Sequence, residues 1–519
     1  MTYEMDAGLW EPQKYGLKGV IWAASVGQDT CLQAVTGGGK SRVAAELFRW
    51  ASSHGKRCCY YINRKLLIGQ TIAEFQNKHL DFGVRAAEYE DYYDYKAPIQ
   101  ICSAPTELAR VYRNQKRNDR PLWPKFECDI VVIDEAHIQR AATMQEIVDD
   151  HRSRGAVAIG MTATPIGVSH MYDNLIVSGT MEDYRKCCSI VPTEVYSFGL
   201  PDLRKVKRNS SGEFVLGERD RRNYTQSIVG NVLESWRKQN PDARPTMLFA
   251  PGKQESEWFT TQFTRAGVNW CHIDATSAIV DGIKSKLTLP LWREIQERYN
   301  DGDIKGISSR FKLREGVSLP KTYCGILATP IGSFASYVQI IGRILRYSQE
   351  TPEHTVINDH GGCYLRHGDP NDTPNWRELW SMSHNQASTK HEKAIKDGDI
   401  PEPIRCPNCG RERNAGYTCL SCGHKAQRGT RHVIQEGGVL RKVTGNIIQV
   451  KKKRPYREWE SMFWQWRNAG SKRTMKQLRA VYQKKHGHLP SEAPIQPKYA
   501  QDWDTKICHI SMRDLDFKN

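Results

Sequence analysis

Residues 34–41 read Ala34-Val35-Thr36-Gly37-Gly38-Gly39-Lys40-Ser41, and the reading of the whole chain starts from them. Before them, Thr30-Cys31-Leu32-Gln33 has the character of a strand end. After them, Arg42 to Phe48 carries apolar residues at helical spacing. Strand, glycine turn, Lys-Ser and helix together predict a phosphate-cradling loop. Gly37, Gly38 and Gly39 let the main chain approach an anion, and backbone N–H groups and the helix N-terminus face it. In such a loop Lys40 reaches the β- and γ-phosphates of ATP, and Ser41 holds Mg²⁺. The competing reading is a glycine-rich turn followed by a chance Lys-Ser, so later residues have to decide.

The deciding partner is Ile130-Val131-Val132-Ile133-Asp134-Glu135-Ala136-His137. Four consecutive β-branched residues predict a strand buried on both faces. Two carboxylates and a histidine emerge at its carboxyl end, where open α/β sheets bind ligands. Asp134 suits a Mg²⁺ shell, because a hard cation prefers oxygen. Glu135 suits the orientation and deprotonation of an attacking water. His137 reads either as a coupling residue or as a satisfied structural histidine. Further on, Ala158-Ile159-Gly160-Met161-Thr162-Ala163-Thr164-Pro165 predicts another strand, ending in hydroxyls at Thr162 and Thr164 on one side of an extended chain.

A second set of strands and helices follows. Thr246 to Pro251 and Val268 to Asp274 read as strands, with a helix beginning near Gln254 and another over Leu291 to Tyr299. Gln339, Arg343 and Arg346 stand at i, i+4 and i+7, which places them on one helical face. Two guanidiniums on that face could meet a γ-phosphate as its charge develops; an Arg-rich solvated face is the alternative.

Thr36 to Ser41, Asp134 to His137, Thr162 to Thr164 and Gln339 to Arg346, in that order, resemble motifs I, II, III and VI of the superfamily 2 helicases. Within them the chain looks like the XPB/UvsW-related, DEAH-type DNA helicases often carried by bacteriophages. The resemblance covers roughly residues 9 to 385 and implies an α/β fold of two tandem RecA-like parallel-sheet lobes. It further implies Gln13 at the adenine edge, for which a plain solvent-facing glutamine is the alternative. Arg64 lies in a stretch similar to motif Ia and Thr106 in one similar to motif Ib, both implied to touch nucleic acid. Leu313 to Pro320 resembles motif V and places Gly316 near the nucleotide. Thr162 and Thr164, with His137, are implied to couple nucleotide state to the nucleic acid site, and Arg343 and Arg346 to act as arginine fingers in a cleft between the lobes.

Beyond residue 400 the chain changes character. Cys406-Pro407-Asn408-Cys409 and Cys419-Leu420-Ser421-Cys422 are two Cys-x-x-Cys turns, each followed by glycine. They predict four thiolates around one structural Zn²⁺, with a redox pair or reduced packing cysteines as the competing readings. The net charge is +17, but residues 401–519 hold 24 Lys+Arg against 10 Asp+Glu, which leaves only +3 for the first 400. That asymmetry suggests a near-neutral motor with a basic appendage meeting a polyanion, or else a tail that serves solubility. Lys451, Lys452, Lys453 and Arg454 are the candidate phosphate contacts. Trp459, Phe463 and Trp466 read more readily as core than as a base-stacking surface.

The expected layout is a nucleotide-binding lobe over 1–190 and a second lobe over 191–384. A linker over 385–400, a zinc ribbon over 401–428 and a basic helical tail over 429–519 follow. No apolar run approaches the roughly 20 residues needed to cross a bilayer, and the N-terminus lacks the basic start and apolar core of a signal peptide. A cytoplasmic protein, in the host cytoplasm if phage-encoded, with its 15 cysteines reduced or metal-bound is expected. The functional expectation is an ATP-dependent helicase or translocase acting on DNA in replication, recombination or repair, favoured as a monomer. A branch-migration or annealing motor, or an RNA helicase, is the alternative.

Overall fold

The computed structural model describes residues 3–62, 65–113, 123–137, 142–197, 207–215, 227–229, 232–310, 313, 319–347, 354–396, 404–405, 412–413, 434–436 and 440–442. They fall into two compact units: the first within Met1–Cys187 and Asn375–Ser381, the second within Cys188–Pro374 and Met382–Val450.

The first unit opens with helix α1, Glu11–Val26, which carries Pro12 in its first turn and stops at Gly27 in the left-handed region. Its Leu17, Val20, Ile21 and Ala24 recur at helical spacing and are all buried. Seven strands follow: β1 Thr30–Gln33, β2 Cys58–Ile62, β3 Phe82–Arg85, β4 Ile99–Ser103, β5 Ile130–Asp134, β6 Val157–Thr162 and β7 Asn174–Val177. They form one sheet in the order β3-β4-β2-β5-β6-β1-β7, and every pairing is parallel. Crossovers put helices on both faces, so the strands read as nearly continuous apolar runs and are buried on both sides. One face seats Tyr60, Ile101, Ile130 and Val132 in a core shared with Val43, Leu47 and Phe48 of helix α2, Lys40–Ser53. Phe48 meets Tyr60 and Phe75 edge-on at 5.7 and 5.5 Å; burying one such ring is worth about 1.5–3 kcal/mol. An ion pair is also buried here: Arg85 Nε donates to Glu107 Oε1 at 2.6 Å.

The second unit begins with β8, Thr193–Ser197, then a two-stranded ribbon of β9 Lys207–Arg208 and β10 Phe214–Val215, and β11 Ser227–Val229. Next come β12 Thr246–Phe249, β13 Trp270–Ile273, β14 Ser277–Val280, β15 Ile283–Lys286, β16 Gly306–Ser309, β17 Cys324–Leu327 and β18 Thr355–Asp359. Short strands β19 Ile404–Arg405, β20 Glu412–Arg413, β21 Ile434–Glu436 and β22 Arg441–Lys442 complete it. The main sheet has the order β15-β14-β13-β16-β12-β17-β18-β8-β22. Its centre is parallel, with an antiparallel hairpin on one edge and antiparallel β22 on the other. The hairpin turns on Asp281 and Gly282, both at positive φ, the backbone a tight two-residue turn requires. Its core is aromatic: Phe263 stacks on Trp270, and the indole N–H of Trp270 donates to Ser308 Oγ at 2.6 Å.

Two segments carry elements that their sequence did not suggest. Residues 385–400, polar enough to read as a linker, hold most of a helix, His384–Lys396. Its Ala387 and Ser388 are buried, and Ser388 Oγ accepts from Phe334 N at 3.0 Å. The tail expected to be helical from 429 begins with strands. β21 pairs with β11, and β22 extends the main sheet, with Lys442 Nζ 2.8 Å from Glu194 Oε1. The four candidate zinc cysteines and residues 443–519 lie outside the described residues. No helix among the described residues is long and apolar enough to cross a membrane.

Candidate nucleotide-binding site

Three adjacent strands of the first unit, β5, β6 and β1, end side by side. Onto their carboxyl ends they deliver Asp134 with Glu135, Thr162 with Thr164, and the glycine loop with Lys40 and Ser41. Successive segments lie about 30 to 95 residues apart in the chain, and the parallel topology gathers them.

The loop is shaped by its glycines. Gly37 and Gly39 have φ of 87° and 76°, values that only glycine adopts without strain. Gly39 is the N-cap of α2 and offers no side-chain cap, so the first N–H groups of that helix are left for a ligand. A side chain at Gly38 would meet Tyr184 at 2.8 Å and Val35 O at 3.0 Å, and one at Gly39 would collide with Gln13 Nε2. The loop is therefore backed by two residues that carry no phosphate-binding signature. Tyr184 Oη lies 2.7 Å from Ser178 Oγ, which donates to Gln33 O. Nothing in the sequence marks Tyr184 or Ser178, since their role depends on β7 lying beside β1.

Gln13 is buried, not solvent-facing. Its Nε2 donates to Gly38 O at 3.0 Å, and its Oε1 accepts from Trp10 N at 3.0 Å. Both ends of the amide are engaged by main-chain groups, so its structural contribution here is to fix the loop.

Lys40 Nζ stands 4.0 Å from Glu135 Oε1. Glu135 sits at φ 53°, a left-handed conformation that costs a non-glycine residue about 1 kcal/mol or more and clusters at functional sites. Its N–H donates to Asp134 Oδ1 at 3.0 Å. His137 Nδ1 lies 3.0 Å from Thr162 Oγ1 and 3.4 Å from Glu135 Oε2. Thr162 Oγ1 also accepts from Thr164 N at 3.0 Å. The histidine thus joins the carboxylate at the end of β5 to the hydroxyl at the end of β6. The donor set fits a magnesium nucleotide: a lysine and free helix N–H groups for phosphate oxygens, and Ser41 and Asp134 oxygens for a hard cation. Thr106 is half-buried on the short helix Ala104–Glu107, while Arg64 and Gly316 lie outside the described residues.

In the second unit Gln339 and Arg343 are both buried on helix Phe334–Ile344. Arg346 departs from the expected helical face. The helix ends at Ile344, and the chain then pairs with residues 189–191: Val191 N donates to Leu345 O, Tyr347 N donates to Ser189 O, and Ile190 bridges Arg346. This tertiary pairing replaces the last helical turn.

Residues 8–167 match the family described as Type III restriction enzyme, res subunit (ResIII). A 51.5 kDa protein of a Lactococcus phage is 23% identical over 405 residues, covering 76% of this chain and 77% of that one. IRC3 of Saccharomyces cerevisiae, provisionally named an ATP-dependent helicase, is 22% identical over 55% of this chain and 39% of its own length. Among solved structures, the ATP-dependent Type ISP restriction-modification enzyme LlaBIII bound to DNA aligns at TM-score 0.48 and 12% identity. That match covers 89% of this chain and 32% of LlaBIII, so the chain spans about a third of that protein.

Proposed function

We propose that this chain, an enzyme of the ATP-dependent helicase type with a ResIII domain over residues 8–167, couples ATP hydrolysis to movement along, or unwinding of, DNA. The observation that carries the proposal is the convergence of Lys40, Glu135, His137 and Thr162 at the ends of three neighbouring strands. In this reading Gly37, Gly38, Gly39 and Lys40 hold the phosphates, with Gln13 fixing their loop. Ser41 and Asp134 would hold Mg²⁺, which when bound neutralises charge on the β- and γ-phosphate oxygens. Glu135 orients the attacking water and takes its proton. Gln339, Arg343 and Arg346 are assigned to the γ-phosphate as its charge develops, and Gly316 to the nucleotide. His137, Thr162 and Thr164 relay the change to nucleic acid contacts that include Arg64 and Thr106. Contacts of this type go to phosphate and sugar, so the motor should read little sequence.

DNA as the substrate rests on the resemblance to DEAH-type DNA helicases and on the basic residues Lys451 to Arg454. A zinc ribbon on Cys406, Cys409, Cys419 and Cys422 is part of the same proposal, on the strength of their spacing. The test is ATP hydrolysis measured with single-stranded, duplex, forked and four-way DNA and with RNA. Stimulation by DNA is expected, and displacement of a labelled strand marks unwinding. Stimulation confined to RNA, or rewinding of a fork without displacement, would replace the proposal with an RNA helicase or an annealing motor.

A further inference from the structure

The first unit brings three soft donors together on its other sheet face, at the amino ends of β2 and β5. Cys59 is the second residue of β2, Cys128 comes two residues before β5, and His151 lies in the last turn of helix Ala142–Ser153. One ligand atom from each lies within 4.8 Å of the other two. Cys128 Sγ stands 3.4 Å from His151 Nδ1. Bonds of about 2.3 Å to sulfur and 2.0 Å to nitrogen in a tetrahedron require an S–N edge of about 3.5 Å. The ring is held from behind: His151 Nε2 is hydrogen-bonded to Tyr61 Oη at 2.9 Å. A partner on the far nitrogen is how metal-binding histidines are oriented, because it directs the other nitrogen at the metal. Cys59 and His151 are buried while Cys128 is only half-buried, so the cluster opens on the Cys128 side.

We propose that Cys59, Cys128 and His151 form a zinc site. Two thiolates balance the charge of the dication, and imidazole with thiolate is a donor set suited to Zn²⁺. Water is the candidate fourth ligand, since the three protein donors leave one tetrahedral position open. Arg154 Nη2 lies 3.2 Å from His151 Nδ1 and must yield to the metal. It has where to go, since the same nitrogen donates to Asp150 Oδ2 at 2.6 Å and Nη1 to Phe126 O at 2.9 Å. The site ties β2, the approach to β5 and the helix Ala142–Ser153 together at the sheet end opposite Asp134 and Glu135. Its role is accordingly to stiffen the strand that presents those carboxylates, not to act on substrate. The inference is independent of the nucleotide site and of the four cysteines beyond residue 400.

The experiment uses the full chain, with elemental analysis of bound zinc and cobalt substitution. Cys128→Ser and His151→Gln should each lower bound metal by about one equivalent and reduce the thiolate–cobalt charge-transfer band. The same decrement should appear when the comparison is repeated with Cys406 and Cys409 both changed to serine, which separates the two zinc sites. A measurement on the unaltered chain guards against misfolded variants: alkylation of Cys128, located by peptide mapping, should slow when Zn²⁺ is added and recover on chelation. Unchanged metal content in both variants, Cys128 alkylation indifferent to zinc, or recovery of a Cys59–Cys128 disulfide would each overturn the site.

Discussion

Replacing Gln13 by alanine tests whether the phosphate loop is held from outside itself. The side chain is buried and makes two hydrogen bonds, to Gly38 O and from Trp10 N, each 3.0 Å long. Each is worth about 0.5–1.5 kcal/mol net, so losing both costs about 1–3 kcal/mol. Because the bond to Gly38 fixes the loop that must receive phosphates, roughly half of this should appear as lost nucleotide affinity. At about 1.4 kcal/mol per decade, that is a loss of about 3- to 10-fold. The assay is the dissociation constant of fluorescent ATP and GTP analogues, alongside the thermal midpoint. Loop support predicts that both nucleotides weaken together, since the shared triphosphate is what the loop holds. A further loss for ATP alone would measure any reading of adenine added to this support. Gln13→Glu is the sharper companion, keeping size while setting a carboxylate oxygen against the Gly38 carbonyl. If both variants bind GTP as tightly as the parent chain, Gln13 does not support the loop and the reasoning fails.

Lys40→Ala and Glu135→Gln should each abolish ATP turnover while nucleic acid binding survives; turnover persisting in either would remove the catalytic assignment. Glu107→Ala should destabilise the first unit by about 3–5 kcal/mol, because it strands a buried guanidinium, whereas the paired change Arg85→Met with Glu107→Leu should cost far less; denaturant midpoints compare them. For Asp274, burial opposes ionisation, but hydrogen bonds from Lys253, Thr276 and Ser277 outweigh it and hold the carboxyl well below its usual range. A depressed value stabilises the fold above the unfolded pKa of about 3.9, and the contribution is lost as pH falls toward the folded value. Asp274→Asn should therefore melt earlier than the parent at pH 7, and the gap should narrow below about pH 4. Changing Lys451, Lys452, Lys453 and Arg454 to alanine should weaken DNA binding and flatten its salt dependence; an unchanged slope assigns the tail to solubility.

How much of this was legible in the sequence follows from how local each constraint is. The glycine loop and the run Ile130 to Asp134 are written in neighbouring residues, and both strands fall where their residue types put them. Residue patterning likewise locates the strands β12 and β13 and, by its helical period, the helix Leu289–Asn300. Arg346 could not be placed, because what ends its helix is backbone pairing with residues more than 150 positions away. Gln13 was recognisable as a candidate, but its burial depends on a contact with Gly38, 25 residues on. The helix His384–Lys396 is hard to read from sequence because its segment is polar, and among its described side chains only His384, Ala387 and Ser388 are buried. Tyr184 and Ser178 carry no chemical signature at all, and only the sheet order gives them meaning.

The position of His137 bears on how a nucleotide could be felt by the rest of the unit. One ring nitrogen, Nδ1, lies within reach of both Glu135 Oε2 and Thr162 Oγ1. In the tautomer protonated at Nδ1, that N–H cannot make two well-aligned bonds of full strength, so under the proposed mechanism a shift of Glu135 toward a bound water would strengthen the contact to Thr162 at the expense of the other. Thr162 in turn accepts from the N–H of Thr164, and the backbone carbonyl of Thr162 accepts from Ala34 N at the root of the phosphate loop. Under the proposed mechanism, a displacement at the carboxylate would be passed to the end of β6 and back to the loop through these contacts of 3.0–3.4 Å.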